Sequence, residues 1–366
     1  MTGPRRRLLA GVVIVFMILL VVVLCRNKAR YLIFDSDQRW VSSGSTQDAA
    51  DFRDWPLHFA YSGDLAMLVT DTDLEIALDA SIPRWDPPTV PTMLHALRLW
   101  GVDARFAVPP GAPQITGDCC AFRRVLLDND SCVRTVRTFE VFWFDTQYGI
   151  RPLTFPDPVR KAENAEAHSD QLLQVLAECN LPASEPVRTL SGRAGTIADI
   201  LRDSTARFTL AQELEFTTIA YSRWLPPNNQ WRNRFGESFS LENLADALVG
   251  VELGKGACQG CHVPFALTNL LLASEQHPQI ISDRSRRSVA ARLSDISLAL
   301  ESTELPNGGW DKRWSGHYVE KPDNVFFEFK PHFDKISVTG HQLEWIAIAP
   351  PAVRPSRAVI ARAVRA

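Results

Sequence analysis

Two cysteines and a histidine lie close together in this chain, at Cys258, Cys261 and His262, in the order Cys-x-x-Cys-His. Two thiols at this spacing can add to the vinyl groups of a haem, and the neighbouring imidazole can then bind the iron. Adjacent residues such as Cys261 and His262 rarely both reach one zinc ion, and no second pair follows at zinc-finger spacing. The motif therefore raises a c-type haem as a hypothesis, while no metal site and no other cofactor is expected.

A second set of residues could perform acid/base chemistry. Glu213, Glu215 and Glu344 lie in apolar, aromatic segments, where burial raises a carboxyl pKa toward the range useful for proton transfer. His341 precedes Glu344 by three residues, which places both on one helix face. Glu213 and Glu215 are two apart, so at most one of them faces a common pocket. The alternative is that His341 and Glu344 form a buried structural pair.

A weak repeat connects the two sets. A glycine precedes both His262 and His341 closely, and an apolar helical segment follows each histidine. His95 and His168 also lie near the starts of predicted helices. An array of helical hairpins would bring such positions around one central pocket. We therefore predict a pocket lined by His262, His341 and Glu344, with Glu213 or Glu215 opposite; alternatively, each histidine only caps or packs at its own helix.

The elements that must position these residues are mostly helical. Apolar residues recur at spacings of three and four in eight segments, which are 92–100, 168–179, 196–202, 208–224, 241–249, 265–273, 285–300 and 341–348. Segments 133–144 and 325–333 are rich in β-branched and aromatic residues and are predicted to be extended. The predicted fold is mainly α with minor β segments, and an α/α-toroid-like array of helical hairpins is the favoured architecture.

The N-terminus carries a predicted membrane anchor. Residues 8–25 form an uncharged apolar run that is flanked by basic residues on both sides, long enough to nearly cross a bilayer as a helix. The run ends without an Ala-x-Ala cleavage site, so we expect an uncleaved anchor with the following domain outside the cytoplasm. The predicted division is 1–30 for the anchor, 31–87 for a juxtamembrane linker and domain entry, and 88–366 for the helical domain.

Composition excludes some classes of function. The chain has 366 residues with 39 basic and 42 acidic side chains, so a nucleic-acid partner has no electrostatic support. The sequence has no Gly-x-Ser-x-Gly elbow, glycine-rich phosphate loop or Asp-rich diphosphate motif. A polar stretch at 228–234 could bind a small carbohydrate-like ligand or form a solvated turn.

Five segments together resemble an uncharacterised family of membrane-anchored bacterial proteins, and the likeness spans residues 88–362. They are 212–216, 223–227, 231–237, 254–258 and 339–345. The family pattern runs Gly-Lys-Gly-x-Cys-x-Gly-Thr-His, with threonine where this chain has Cys261, which implies that haem attachment is not the shared purpose of the segment. The turn at 305–310 is similar to turns in α/α-toroid proteins such as terpene cyclases and protein prenyltransferases.

The sequence thus predicts a membrane-anchored helical domain that binds or processes an unidentified ligand, with the enzyme class undecided. Two alternatives stay open. One is a monohaem c-type cytochrome that uses Cys258, Cys261 and His262. The other is a scaffold in which the histidines play no chemical part.

Overall fold

The structure is a computed structural model, and it divides the chain into two units, Met1–Ser45 and Thr46–Ala366. All of the residues that it describes belong to the second unit. They are residues 52, 54–57, 63–81, 89–103, 105, 121–136, 142–154, 166–189, 191–192, 194–225, 230–316 and 331–366. The predicted anchor at residues 8–25 lies outside the described residues and stays a prediction.

Helices account for most of the described chain, which confirms the predicted helical class. They are α1 (Gly63–Ala66), α2 (Asp71–Ser81), α3 (Val90–Trp100), α4 (Phe122–Leu127), α5 (Asn129–Val136), α6 (Gln171–Glu178), α7 (Ile197–Arg207), α8 (Leu214–Trp224), α9 (Leu241–Val249), α10 (His262–Gln276), α11 (Asp283–Thr303), α12 (Pro331–Ile348) and α13 (Arg357–Val364). A 3-10 turn, Pro351–Val353, lies between α12 and α13.

Short antiparallel hairpins join some of these helices. The paired strands are β1 (Trp143–Asp145) with β2 (Ile150–Pro152), β3 (Pro186–Arg188) with β4 (Ala194–Thr196), and β5 (Trp231–Arg232) with β6 (Ser238–Phe239). Thr196 and Ser240 end two of these hairpins and begin the next helix with a capping box, in which the side chain and the third helical residue satisfy each other's backbone N–H groups.

Helix α10 lies at the centre of the core. It packs against α8, α9, α11 and α12, and twelve of its residues are buried, including the polar Thr268 and Asn269. A helix that is buried on every face cannot show a clear apolar stripe. This explains why periodicity predicted only residues 265–273 of a helix that runs from His262 to Gln276.

The predicted extended segment 133–144 is wrong in its first part. Residues 133–136 belong to α5, and Trp143 and Phe144 are the residues of the segment's described part that lie in a strand. Residues 137–141 lie outside the described residues. The N–H of Ser131 donates to the carboxylate of Asp128 at 2.8 Å, an interaction that satisfies a free donor at the start of a helix. This cap starts α5 and overrides the β propensity of the valine and threonine residues that follow.

The start of α12 also differs from the prediction. The helix begins at Pro331, so residues 331–333 of the second predicted extended segment are helical, and residues 325–330 lie outside the described part of the chain. Gly340 lies within the helix and does not begin it. His341 is therefore a residue of the helix body and not a capping residue. Proline suits the first helical turn because its missing N–H has no partner there.

Within the described residues, none of the helices is both long and apolar enough to span a bilayer.

Glu166 gives the fold a testable pH dependence. Burial raises the pKa of this carboxyl from 4.5 to about 8, against the opposing effect of the hydrogen bonds from Leu172 and Thr154. Between these two pH values the unfolded chain releases a proton that the folded protein keeps, so stability falls as pH rises, by about 1.4 kcal/mol per pH unit. We expect Glu166→Gln to reduce the loss of urea stability between pH 5 and pH 8.

Gln at this position keeps the size and hydrogen bonding of the protonated carboxyl. The matched control is Glu252→Gln, since Glu252 is exposed and lies in a surface ion pair with Lys255. Its pH dependence should equal that of the wild type. If Glu166→Gln and the wild type lose stability equally as the pH rises, Glu166 is not the cause of that loss.

Candidate metal centre

A left-handed turn presents Cys258. Cys258, Gln259 and Gly260 all have positive φ, at 48°, 61° and 78°, and the N–H of Cys261 donates to the carbonyl of Cys258 at 3.3 Å. Side chains other than glycine adopt this region rarely, at a cost of about 1–2 kcal/mol per residue. Such strain persists only where the surrounding structure holds the turn in place.

Two glycines are required for that turn. A Cβ at Gly256 would lie 2.3 Å from a carboxylate oxygen of Glu215, and one at Gly260 would lie 2.7 Å from the carbonyl oxygen of Lys255. Both residues also have positive φ. The glycines of this segment therefore allow the backbone to close around Cys258.

Buried partners fix the turn from two sides. Glu215, in the first turn of α8, is 4% exposed, and its carboxylate accepts the N–H of Ala257 at 3.0 Å. The indole N–H of Trp314 donates to the carbonyl of Gln259 at 3.0 Å. Glu215 therefore supports the loop that carries Cys258, a role that differs from the predicted place in a pocket wall.

Three donor atoms converge at this turn. Among the residues that the structure describes, Cys258, His262 and His341 form a group whose sulfur and ring nitrogens all lie within 4.8 Å of one another. The rings of His262 and His341 are 4.5 Å apart between centroids, and His262 is buried. The first residue of α10 and the body of α12 thus meet at the thiol of Cys258.

A third imidazole, that of His168, also contacts the thiol of Cys258. His168 stacks on Phe216 with 4.8 Å between ring centroids, and its ring lies 6.4 Å from that of His262. The Nδ1 of His168 is 3.0 Å from a carboxylate oxygen of Glu213. A hydrogen bond also connects His168 to Cys258. Glu213 is therefore near the cluster through His168, while Glu215 lies beneath the loop.

A carboxylate orients His341 in the same way. Its Nδ1 is 3.4 Å from Oε2 of Glu344, and Arg98 donates to that oxygen at 3.3 Å. Arg98 also donates to Glu178 at 2.7 Å and lies over the ring of Phe265. A carboxylate on one ring nitrogen fixes the tautomer and leaves the other nitrogen for a metal or a thiolate.

These surroundings strongly shift the pKa values of the cluster. Burial alone would raise the pKa of Cys258, but hydrogen bonds with His168, His262 and His341 outweigh it and lower the pKa to about 3. Burial alone would lower the pKa of His168 and of His341, but Cys258 and the partner carboxylates raise them to about 10 and about 9. These shifts favour a thiolate at Cys258 beside protonated His168 and His341.

The second cysteine of the motif has a different environment. Cys261 is fully buried at the N-cap of α10, and its sulfur accepts a hydrogen bond from Gln342 at 3.5 Å. Burial raises the pKa of its thiol well above the ordinary value. The motif therefore contains one half-buried thiolate, Cys258, and one buried thiol, Cys261.

The other predicted candidates are not among the three donors of this cluster, although His95 is close enough to His341 and Glu344 for their charges to affect its pKa. The Nδ1 of His95 is 2.7 Å from the carbonyl of Pro91. In the polar stretch 228–234, Asn233 donates to Phe208 and to Glu237 and closes a local turn, whereas residues 228 and 229 lie outside the described part. Cys132 and Cys179 are free thiols whose pKa burial raises to about 12, so they behave as packing residues.

No family model, no curated protein and no solved structure matches this chain. The resemblance to an uncharacterised bacterial family therefore stays a prediction, and function has to be inferred from the chemistry of the cluster.

Proposed function

We propose that this protein binds one transition-metal ion, most favourably zinc, through Cys258, His262 and His341. The observation that supports the proposal is the convergence of one thiolate and two imidazoles within 4.8 Å. In a tetrahedral zinc site, sulfur and nitrogen ligands lie about 3.3–3.6 Å apart, as follows from bond lengths of about 2.3 and 2.0–2.1 Å. Side-chain adjustments of about an ångström would close the three donors on an ion.

The surroundings of the donors also favour a metal. The Glu344 carboxylate next to His341 matches the carboxylate–histidine–metal arrangement that orients imidazole ligands. A soft thiolate with two imidazoles suits zinc and also copper, whereas calcium and magnesium prefer oxygen ligands. Metal ligands must be deprotonated, so zinc would bind the Cys258 thiolate and displace the proton of His341, whose pKa is raised to about 9.

Three protein ligands leave one position of a tetrahedral ion free. This is the arrangement of catalytic zinc sites, in which water or substrate takes the fourth place. The side chains of His168 and Glu213 are 20% and 39% exposed, so solvent has access to that side of the cluster. We therefore favour a centre that binds or processes a small ligand at the metal over a closed structural site.

Metal analysis of the purified full-length protein tests the proposal. We expect one zinc per chain after loading and removal of excess metal, and a thiolate-to-cobalt charge-transfer absorption after cobalt substitution. Cys179→Ser serves as the matched control and should retain both signals, because Cys179 is not among the three donors and its thiol donates to the carbonyl of Leu97. Less than a tenth of an equivalent of metal, with no charge-transfer band, would contradict the proposal.

The alternatives from the sequence remain hypotheses with less support. Two thioether bonds need two accessible thiols, whereas Cys261 is buried and hydrogen-bonded to Gln342. A red protein with a covalently bound haem would favour the cytochrome and exclude the zinc site. The α/α-toroid arrangement, the membrane anchor and the extracytoplasmic location also stay proposals, and the metal site does not depend on them.

The two carboxylate–histidine pairs should respond differently to mutation. If His341 is a ligand and His168 is not, Glu344→Gln should weaken zinc binding by about 10–100-fold, because the orienting carboxylate is lost. Glu213→Gln is the matched variant, with the same chemical change 3.0 Å from an imidazole, against 3.4 Å for Glu344, and should change affinity less than threefold. Competition with a chelator measures both. A larger effect of Glu213→Gln would instead make His168 the ligand.

A further inference from the structure

The two cysteines of the loop lie in one tight turn. The hydrogen bond from the N–H of Cys261 to the carbonyl of Cys258 closes a four-residue turn, and the Cα atoms at the ends of such a turn are less than about 7 Å apart. Disulfides usually join Cα atoms about 4.4–6.8 Å apart. The backbone therefore already holds Cys258 and Cys261 near bonding distance.

The two thiols differ in accessibility. Cys258 is half-buried and the side chain of its neighbour His168 is 20% exposed, so we expect a small oxidant to reach its sulfur. Cys261 is fully buried. We therefore expect it to react only with a neighbour on the same loop. One accessible thiol beside one protected thiol is the arrangement of redox-active pairs, in which the first is oxidised and the second resolves the product.

Backbone strain favours movement of this loop. Cys258 and Gln259 are both non-glycine residues with positive φ, and the side-chain oxygen of Gln259 is buried without a hydrogen-bond partner. Strain of this kind clusters at active sites, ligand clamps and switch regions. Release of the turn would cost less here than in a relaxed loop.

From these observations we infer that Cys258 and Cys261 form a reversible disulfide on exposure to a peroxide, and that the bond releases the metal. The inference about metal release rests on the proposed function, whereas the disulfide itself does not. The thiolate of Cys258 attacks one peroxide oxygen, which gives a sulfenic acid and hydroxide. The thiol of Cys261 then attacks the sulfenic sulfur, which forms the disulfide and releases water.

This reaction removes a zinc ligand. A disulfide sulfur is a far weaker ligand than a thiolate, so only His262 and His341 would remain. A dithiol reductant would restore both thiols by exchange and would allow zinc to bind again. The centre would then bind metal under reducing conditions and lose it under oxidising conditions.

The test treats the metal-loaded full-length protein with hydrogen peroxide and follows zinc with a colorimetric chelator. Trypsin cleavage after Lys255 and Arg284 leaves both cysteines in one peptide, so the disulfide appears as a peptide lighter by two hydrogens and resistant to alkylation. We expect this peptide and the release of one zinc per chain, both reversed by dithiothreitol. Cys179→Ser should behave as the wild type.

Cys261→Ser is the decisive variant, with Cys261→Ala as a second in case serine is not tolerated in the core. Either should bind zinc as the wild type does and form a trappable sulfenic acid on Cys258 without the disulfide. Excess peroxide then oxidises this unresolved sulfenic acid to a sulfinic acid, which dithiothreitol does not reduce, so zinc loss should be reversed less completely. A wild-type protein that binds zinc but forms no such disulfide would overturn the inference. A disulfide formed in a protein that never binds zinc would overturn the proposed function and the release step alone.

Discussion

Cys258→Ser is expected to lower the affinity for zinc by at least a hundredfold. The variant replaces a thiolate, whose pKa the surrounding imidazoles lower to about 3, by a hydroxyl that stays protonated and binds zinc poorly. Zinc should therefore raise the thermal stability of the wild-type protein and have little effect on the variant, since a ligand stabilises the folded state only as far as it binds. Chelator competition and thermal unfolding measure the two effects.

Two further variants make this result specific. Cys179→Ser, a change at a cysteine outside the cluster, should leave zinc affinity unchanged. His341→Ala should lose affinity as Cys258→Ser does, although the two positions are far apart in sequence. Wild-type zinc affinity in Cys258→Ser would show that the ion, if one binds, lies elsewhere.

Among the variants described above and below, Arg98→Met is expected to lower the free energy of unfolding the most. Arg98 is mostly buried between Glu178 and Glu344, with side-chain exposures of 14%, 10% and 36%. Methionine keeps the length of the side chain and the contact with Phe265 but leaves two carboxylates without their cation. Removing one partner of a buried ion pair costs about 3–5 kcal/mol. Urea unfolding measures the difference in the free energy of unfolding.

A matched surface pair provides the control. Arg313 binds Asp311 but is 66% exposed, so Arg313→Met should change stability by less than about 1 kcal/mol. The double variant Arg98→Met with Glu178→Gln should recover part of the loss, because one uncompensated carboxylate is then removed. If Arg98→Met and Arg313→Met have equal effects, Arg98 does not hold α3, α6 and α12 together through its charge.

Local patterns predicted many of the helices. The segments 92–100 and 241–249 correspond to α3 and α9, because each is amphipathic and begins at a strong capping residue. The predicted segment 208–224 begins too early, since α8 starts at Leu214. The prediction that a helix begins at Gly340 and His341 is wrong, since Gly340 lies inside α12.

The site could be predicted only in part. A glycine-flanked cysteine and histidine indicate a constrained loop, and the spacing of His341 and Glu344 correctly places them on one helix face. His168 lies just before α6 and Cys258 lies just before α10. Their contact depends on how α6 and α10 both pack on α8, which no local pattern contains. Glu215 illustrates the same limit, because a buried carboxylate can equally serve chemistry or hold a loop.

The most direct test of the central claim is X-ray absorption spectroscopy at the zinc edge of the loaded protein. A centre formed by Cys258, His262 and His341 predicts one sulfur at about 2.3 Å and two imidazole nitrogens at about 2.0–2.1 Å, with one further light atom for the open position. Cys258→Ser should remove the sulfur scattering. Two sulfur ligands, which would include Cys261, or no sulfur ligand at all, would contradict the account.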